Sequence, residues 1–401
     1  MNTVAVVGGG ASGMMAALKA AEDHNNKVLL FERQSRVGRK LLATGNGRCN
    51  LTNAGASAEN YHGADPSFAS FALSSFPPAA ALAFFRGLGL VCTEQYGGRV
   101  YPLSDAAGSV LDVLRFALDS AGVELHPAET VTALQRCKGS FAVQTDLAVY
   151  HPEYVIVACG GKAGGKLGGV SDGYDLLRSL GHRCTKLYPS LVPLRTDTDY
   201  PRSLKGVRAD ASVKLCSGTA VLAESCGEVQ FVEKGVSGPA VFDVSREASV
   251  HGGELLLDFM RGYSASEIQQ LLQQRRSLSP ELENANVFAG LLHSRLGLVL
   301  VKYAGLKPSD KIGSLSAKDI VRLAEAAKAF RLRVTGTDSF DTAQVTAGGI
   351  SVDDFNPRTL ESKLVPGLFA CGEVLDIDGD CGGYNLQWAW ASGALAGRLG
   401  K

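Results

Sequence analysis

The sequence predicts an α/β fold: a parallel-sheet domain, interrupted by a β-barrel-like domain that carries a small helical insertion. Three observations predict it. The chain opens on an apolar run, Thr3 to Val7, that enters a glycine-rich turn and then a helix, the order found in parallel sheets. From about Leu191 to Phe259 the pattern changes to short alternating strands broken by turn residues, as in an antiparallel sheet or small barrel. Near the C-terminus a buried-type strand, Gly367 to Gly372, and a helix from Asn385 to about Leu399 return to the first pattern. The boundaries that follow are 1–190 with 345–401 for the first domain, 191–260 with 329–344 for the barrel-like domain, and 261–328 for the helical insertion.

The elements follow in order. A helix is expected from Ser12 to about Asp23 and a second strand over Lys27 to Glu32, completing a βαβ unit. The polar, glycine-rich stretch Gly38 to Asn53 reads as a loop, too irregular for a helix or a half-buried strand, and long enough to suggest a ligand contact. Short runs at Val91 to Glu94, Arg99 to Pro102 and Phe141 to Thr145 flank a helix from Ala107 to Ala121, which Gly122 ends. Tyr154 to Ala158 is a further buried strand, leading into Cys159-Gly160-Gly161. Strands are expected at Asp210 to Cys216, Ala220 to Ala223, Glu254 to Phe259, Phe330 to Thr335 and Ala343 to Thr346. Ser264 with Glu267, and Ser316 with Asp319, are capping pairs that open helices in the insertion.

Composition limits the function classes. A chain of 401 residues, 45% hydrophobic, exceeds the roughly 250 to 300 residues at which single cores stop growing, so more than one core is expected. Forty basic residues balance forty acidic ones, which argues against a nucleic-acid partner. Nine cysteines, an odd number with no C-x-x-C pair, argue against a disulfide framework, and no histidine or cysteine spacing marks a metal site. No apolar run approaches the ~20 residues of a membrane span, and the N-terminus lacks an export signal. A cytoplasmic setting is expected. The oligomeric state is not legible.

The strongest motif is Gly8-Gly-Gly10-Ala11-Ser12-Gly13, which fits G-x-G-x-x-G between a strand and a helix. The first glycine permits a tight turn, the second lets a pyrophosphate approach, and the third lets helix and strand pack closely. Glu32 ends the second strand, where a carboxylate accepts hydrogen bonds from ribose hydroxyls and disfavours the extra phosphate of NADP. Together these predict a Rossmann-type dinucleotide domain. Two further segments favour FAD. One is the loop from Lys40 through Thr44, Gly45 and Arg48 to Asn50, close behind the ribose strand, where Arg33 also lies. The other is Gly372-Glu373, with Asp376 following and Gly382-Gly-Tyr-Asn385 opening the last helix. A strand ending in Gly-Glu places a carboxylate at the edge where ligands of open α/β sheets bind, and the helix start offers N–H groups.

These segments, with Ser171-Asp-Gly-Tyr174, Ser237-Gly-Pro239 and Thr346-Ala-Gly-Gly-Ile350, together resemble a bacterial flavoprotein family of NAD(P)/FAD-dependent oxidoreductases. That family includes aminoacetone-oxidase-like and bile-acid-pathway flavoproteins. The resemblance covers essentially the whole chain, and the GRCNLTN run at 47–53 is its most specific part. It implies an FAD domain interrupted by a barrel-like domain, with Ser12 on the pyrophosphate and Glu32 on the ribose. It also implies Lys40, Gly45, Arg48 and Asn50 on the phosphate-to-flavin side, and Val131 on the adenine through its main chain. Glu373, Asp376, Asn385 and Leu386 are implied around the ribitol and flavin ring. Gly160 and Gly161 complete the expected set. Two departures stand out: Val232-Glu233 replaces a Thr-His pair of the family pattern, and 161–170 is unusually rich in lysine and glycine.

The expected activity is hydride transfer between a small organic substrate and flavin. NAD(P)H, as a transient co-substrate, or oxygen serves as redox partner, since no second G-x-G-x-x-G marks a dedicated nicotinamide domain. A flavin-dependent tRNA-modifying protein and a non-catalytic flavin redox sensor are the alternatives. No spacing singles out a catalytic acid or base. The seven histidines are scattered, and Trp388 and Trp390 read as packing. Cys49 and Cys381 are candidates for low-pKa thiols near helix starts.

Overall fold

Val4 to Val6 have no solvent exposure because they lie at the centre of a five-stranded parallel sheet. A computed structural model describes residues 1–197 and 199–401; Thr198, in the predicted barrel segment, lies outside the described residues. The described residues fall into two compact units, Met1–Tyr188 with Phe340–Lys401, and Pro189–Ser339. In chain order the first unit contributes β1 (Asn2–Val7), α1 (Ala11–Ala21), β2 (Asn26–Glu32), the short β3 (Tyr61–His62), β4 (Glu124–Pro127), β5 (Tyr154–Val157), β6 (Leu368–Ala370), the short β7 (Asp378–Gly379) and α2 (Tyr384–Ala396).

The main sheet has the order β6-β5-β1-β2-β4, with every pairing parallel. β1 and β5 are buried on both faces, so both read as unbroken apolar runs. The C-terminal strand β6 thus joins the N-terminal sheet beside β5, in register Val155 to Leu368. The mixed α/β prediction holds. α2 is buried on nearly every side and lies against α1, where a Cβ on Gly393 would come within 2.4 Å of the Ser12 carbonyl oxygen. Small residues there let two helix backbones meet.

The second unit holds a closed six-stranded barrel of Leu194–Thr196, Gly235–Ser237, Ala220–Val232, Arg208–Ser217, Glu254–Asp258 and Phe330–Thr337, in that order around the ring. Ala211, Val213 and Leu215 alternate inward along one strand. Capping boxes at Ser264 and Ser316 open the helices Ala265–Leu278 and Ala317–Lys328, as their spacing predicts.

Several local expectations need correction. Gly38 to Asn53 is not a plain loop: it contains the helix Arg39–Ala43, a 3-10 turn over Thr44–Gly47 and the short strand Thr52–Asn53. Leu41, buried, anchors a helix too short to show a period. The barrel segment also contains a helix, Pro239–His251, whose buried Ala240, Val241, Val244 and Ala248 follow helical rather than strand spacing. Helices at Ala69–Ser75, Pro78–Gly87 and Asp172–Ser179 were not predicted. The strand expected at Ala343 to Thr346 forms over Val345–Ala347, outside the closed barrel. Among the described residues no single helix is long and apolar enough to cross a membrane.

Candidate functional site

The turn after β1 is shaped by close backbone approaches. A Cβ on Gly13 would stand 1.9 Å from the Gly8 carbonyl oxygen, and one on Gly8, whose φ is +111°, would stand 2.5 Å from that of Ala158. Gly10 differs, for a Cβ there would meet no atom within 4 Å. It is the N-cap of α1, and no side chain caps that end, so the first N–H groups of the helix are left uncapped at the positive end of the helix dipole. Such a helix start can hold an anion. Beside it the Glu32 carboxylate accepts from the Gly9 N–H at 2.9 Å and the Gln34 N–H at 2.7 Å. Burial pushes its pKa up, and the two backbone N–H groups and Arg33 oppose that shift. The chain at 128–131 runs alongside, with Ala128 N–H donating to the Gln34 carbonyl and Glu129 N–H to that of Glu32, and it leads into the buried Val131.

A second cluster forms at the carboxyl end of β6. Glu373 accepts from Lys40 Nζ at 2.8 Å and, through its other oxygen, from the Thr346 N–H at 2.8 Å. Thr346 Oγ1 in turn accepts from the Ala163 N–H at 2.9 Å. Gly161 is required against this pair, since a Cβ would lie 2.4 Å from a Glu373 carboxylate oxygen, whereas Gly160 is open. Gly372 packs on Ser12, its hypothetical Cβ only 2.4 Å from the Ser12 hydroxyl, so the β6 end and the α1 start are in contact. Asp376 is buried and accepts from the Ala64 N–H at 3.3 Å. The Asn50 amide oxygen is buried and has no hydrogen-bond partner among the described residues. It points toward Gly383, in the start of α2.

The structure thus joins Ser12 to Gly372 and Lys40 to Glu373, each across more than 300 residues, and sets Gly161 against Glu373. Other expected residues are turned elsewhere. Arg48 stacks on Tyr101 and pairs with Asp105 at 2.5 Å, while Arg33 pairs with Asp172 at 3.2 Å. The Thr44 hydroxyl donates to the Leu41 carbonyl, and Gly45 sits on the Asn50 N–H in a positive-φ turn. Asn385 braces the loop before its own helix: its oxygen accepts from the Gly379 N–H, and its nitrogen donates to the Gly379 and Asp380 carbonyls. Leu386 is half-buried behind it.

Sequence reasoning gave no site role to Thr346, Arg99 or the pair His62–Asp380. Thr346 lies within a quoted motif and Asp380 just before Gly382-Gly-Tyr-Asn385, but His62 carries no local signal and reaches Asp380 only because β3 pairs with β7. The suggestion of a low-pKa Cys49 is corrected: burial pushes its thiol up to about 12, and does the same to Cys159 and Cys371. Trp388 and Trp390 are buried and donate to the carbonyls of Gly372 and Leu51. No group of three or more metal-ligating side chains occurs among the described residues.

An uncapped helix start with room above it, a ribose-type carboxylate and a buried amide oxygen without a partner fit a dinucleotide cofactor. Residues 2–399 match the family model described as the HI0933-like protein Rossmann domain. The chain belongs to this FAD-binding Rossmann family. Among curated relatives, the 3-dehydro-bile acid delta(4,6)-reductase of Clostridium scindens is 39% identical, covering 99% of this chain and 98% of that protein. The ribosomal RNA dihydrouridine synthase of Escherichia coli is 28% identical, covering 96% of this chain and 95% of that protein. Among solved structures, the open conformation of a flavocytochrome c3 fumarate reductase has a TM-score of 0.47 at 16% identity, covering 100% of this chain and 77% of that one.

Proposed function

We propose that this FAD-dependent oxidoreductase reduces a carbon–carbon double bond conjugated to a carbonyl in a small steroid-like molecule. The observation that carries the reading is the 39% identity, over 99% of the chain, to a protein named as a delta(4,6)-reductase of a 3-dehydro-bile acid. Saturating such a bond means adding a hydride at the carbon remote from the carbonyl and a proton at the near one. When bound, FAD in its reduced form supplies the hydride.

The chain's own residues hold and orient. The uncapped N–H groups of Ala11 and Ser12, with Gly8, Gly10 and Gly13 keeping side chains clear, would take the pyrophosphate. Glu32 and the main chain at Val131 would take the adenosine. Lys40, paired with Glu373, would stand between the second phosphate and the ribitol, with Thr44, Gly45, Gly160 and Gly161 shaping the passage. Asn50, Gly372, Asp376, Asn385 and Leu386 would bound the flavin end. Arg33 and Arg48 would act from the periphery, given their ion pairs with Asp172 and Asp105. NAD(P)H is the proposed source of electrons.

A second reading is supported by the relatives named as ribosomal RNA dihydrouridine synthases: the substrate would be a uracil base, whose 5,6 double bond is also conjugated to a carbonyl. The balance of 40 basic and 40 acidic residues gives little support for binding a polyanion. One experiment separates the readings. Protein reduced anaerobically with NADH or NADPH is mixed with a Δ4,6-3-ketosteroid or with a ribosomal RNA fragment, and flavin reoxidation is followed by absorbance. Reoxidation by the steroid alone supports the proposal. Reoxidation by RNA alone replaces it, and reoxidation by neither removes both.

A further inference from the structure

Reduction of a conjugated double bond needs a proton as well as a hydride, and none of the residues assigned above supplies it. β3 and β7 pair antiparallel, with His62 opposite Asp378 and Tyr61 opposite Gly379. Side chains alternate along strands, so His62 and Asp378 share one face, and Asp380 follows directly after the end of β7. His62 Nε2 lies 2.7 Å from an Asp380 carboxylate oxygen, and the other oxygen accepts from Asn60 Nδ2 at 3.1 Å. The Asp380 N–H donates to the Asn60 carbonyl, and its own carbonyl accepts from Asn385. The carboxylate is therefore fixed from several sides, in a position that orients the imidazole. The His62 and Asp380 side chains remain 36% and 35% exposed, while Asp378 is 1% exposed, so this edge of the pair can reach a substrate and exchange protons with water.

The location matters as much as the pairing. Along the chain β7 lies between Glu373 and the Gly382-Gly383 start of α2, both in the proposed flavin end. Tyr61 donates its hydroxyl to the carbonyl of Tyr384, the first residue of α2. A Cβ on Gly382 would lie 3.4 Å from Arg99 Nε and 3.6 Å from Asn53 Nδ2, so a cation stands at the same helix start. The charged and titratable groups around His62 are thus Asp376, Asp378 and Asp380 on its partner segment, Tyr61 and Tyr384 beside it, and Arg99 at the helix start.

We infer that His62 is the proton donor of the reaction, with Asp380 and Asn60 as its positioning residues. This rests on the double-bond reading. The π bond of the substrate breaks as a C–H bond forms at the remote carbon with the hydride from the cofactor, which loses two electrons. The Nδ1–H bond of the His62 imidazolium breaks as a C–H bond forms at the near carbon. His62 is left neutral and regains a proton from water. Arg99 is placed to attract the oxygen on which negative charge develops between the two additions.

The test uses FAD-loaded protein reduced anaerobically by dithionite and mixed with a Δ4,6-3-ketosteroid. In the wild type, reoxidation should slow as pH rises through the titration of His62. His62→Gln should be slower by roughly 100-fold or more, with that limb gone. Asp380→Asn should keep the limb but move it to lower pH, and nitrogen NMR of histidine-labelled protein should show the same displacement of the His62 titration. FAD content and melting temperature establish that each variant is folded. A His62→Gln protein as fast as wild type with the same limb overturns the inference alone, as does a His62 titration that Asp380→Asn leaves unmoved. A wild-type protein that the steroid reoxidises at no pH overturns the double-bond reading, and the donor role with it.

Discussion

The two ends of the candidate site are built in different ways. The end around Gly8 to Gly13 and Glu32 is a contiguous stretch of chain: one strand, one turn, one helix and a second strand, held by the Glu32 carboxylate on the Gly9 N–H. The end around Glu373, Asp380 and Gly383 is assembled from pieces about 300 residues apart, as Lys40 meets Glu373 and His62 meets Asp380. A contiguous end fails through its own geometry. An assembled end fails through loss of partners, and a second change in the partner should repair part of the damage.

Gly13→Val offers the strongest way to break this contrast. Its Cβ would meet backbone, the Gly8 carbonyl oxygen at 1.9 Å, which cannot turn aside. The cost should reach about 3 kcal/mol or more, and the purified protein should contain little or no FAD by absorbance after heat release. A yellow, stable variant would mean that the turn is looser than described. Gly372→Ala is the counterpart at the assembled end. The obstacle is first the Ser12 hydroxyl at 2.4 Å, with a positive φ of +76° adding strain of order 1 kcal/mol. Adding Ser12→Ala should restore part of the lost melting temperature, and an additive double mutant would sink the idea of a shared contact.

Asn385→Asp should cost roughly 2 kcal/mol, because the Gly379 and Asp380 carbonyls lose their donor and face a carboxylate. Chemical denaturation measures this, and a loss below about 0.5 kcal/mol would show that the brace carries little of the loop. Glu32→Ala should weaken FAD binding by a similar amount, roughly 1.5 to 3 kcal/mol in titrations of apoprotein. A pH dependence sharpens that test. Burial raises the Glu32 pKa above 4.5, so the acceptor carboxylate is complete above the raised pKa and is lost as pH falls through it. FAD affinity should therefore begin to fall at a higher pH than for an ordinary glutamate, and the alanine variant should lack that step. The smallest effect is expected from Arg48→Lys, within about 0.5 kcal/mol of wild type in FAD binding, since its ion pair with Asp105 is largely exposed and solvent screens it.

The sequence by itself determined the parallel strand β1, the glycine turn, the carboxylate at the end of β2, the two capping boxes and the alternating strands of the barrel. Each of these is set by local rules: backbone sterics at glycine, the period of two or 3.6, and the N–H groups that a cap satisfies. The helix Pro239–His251 and the short helix Arg39–Ala43 escaped because one lies among strands and the other is shorter than two turns. Only the tertiary structure decided where side chains were spent. It turned Arg48 away toward Asp105, closed Asn385 onto its own loop, and buried Cys49 until its thiol was no longer acidic. It also made a pair of His62 and Asp380, because strand pairing joins residues by register rather than by distance along the chain, and no local pattern records which distant strand will supply the partner.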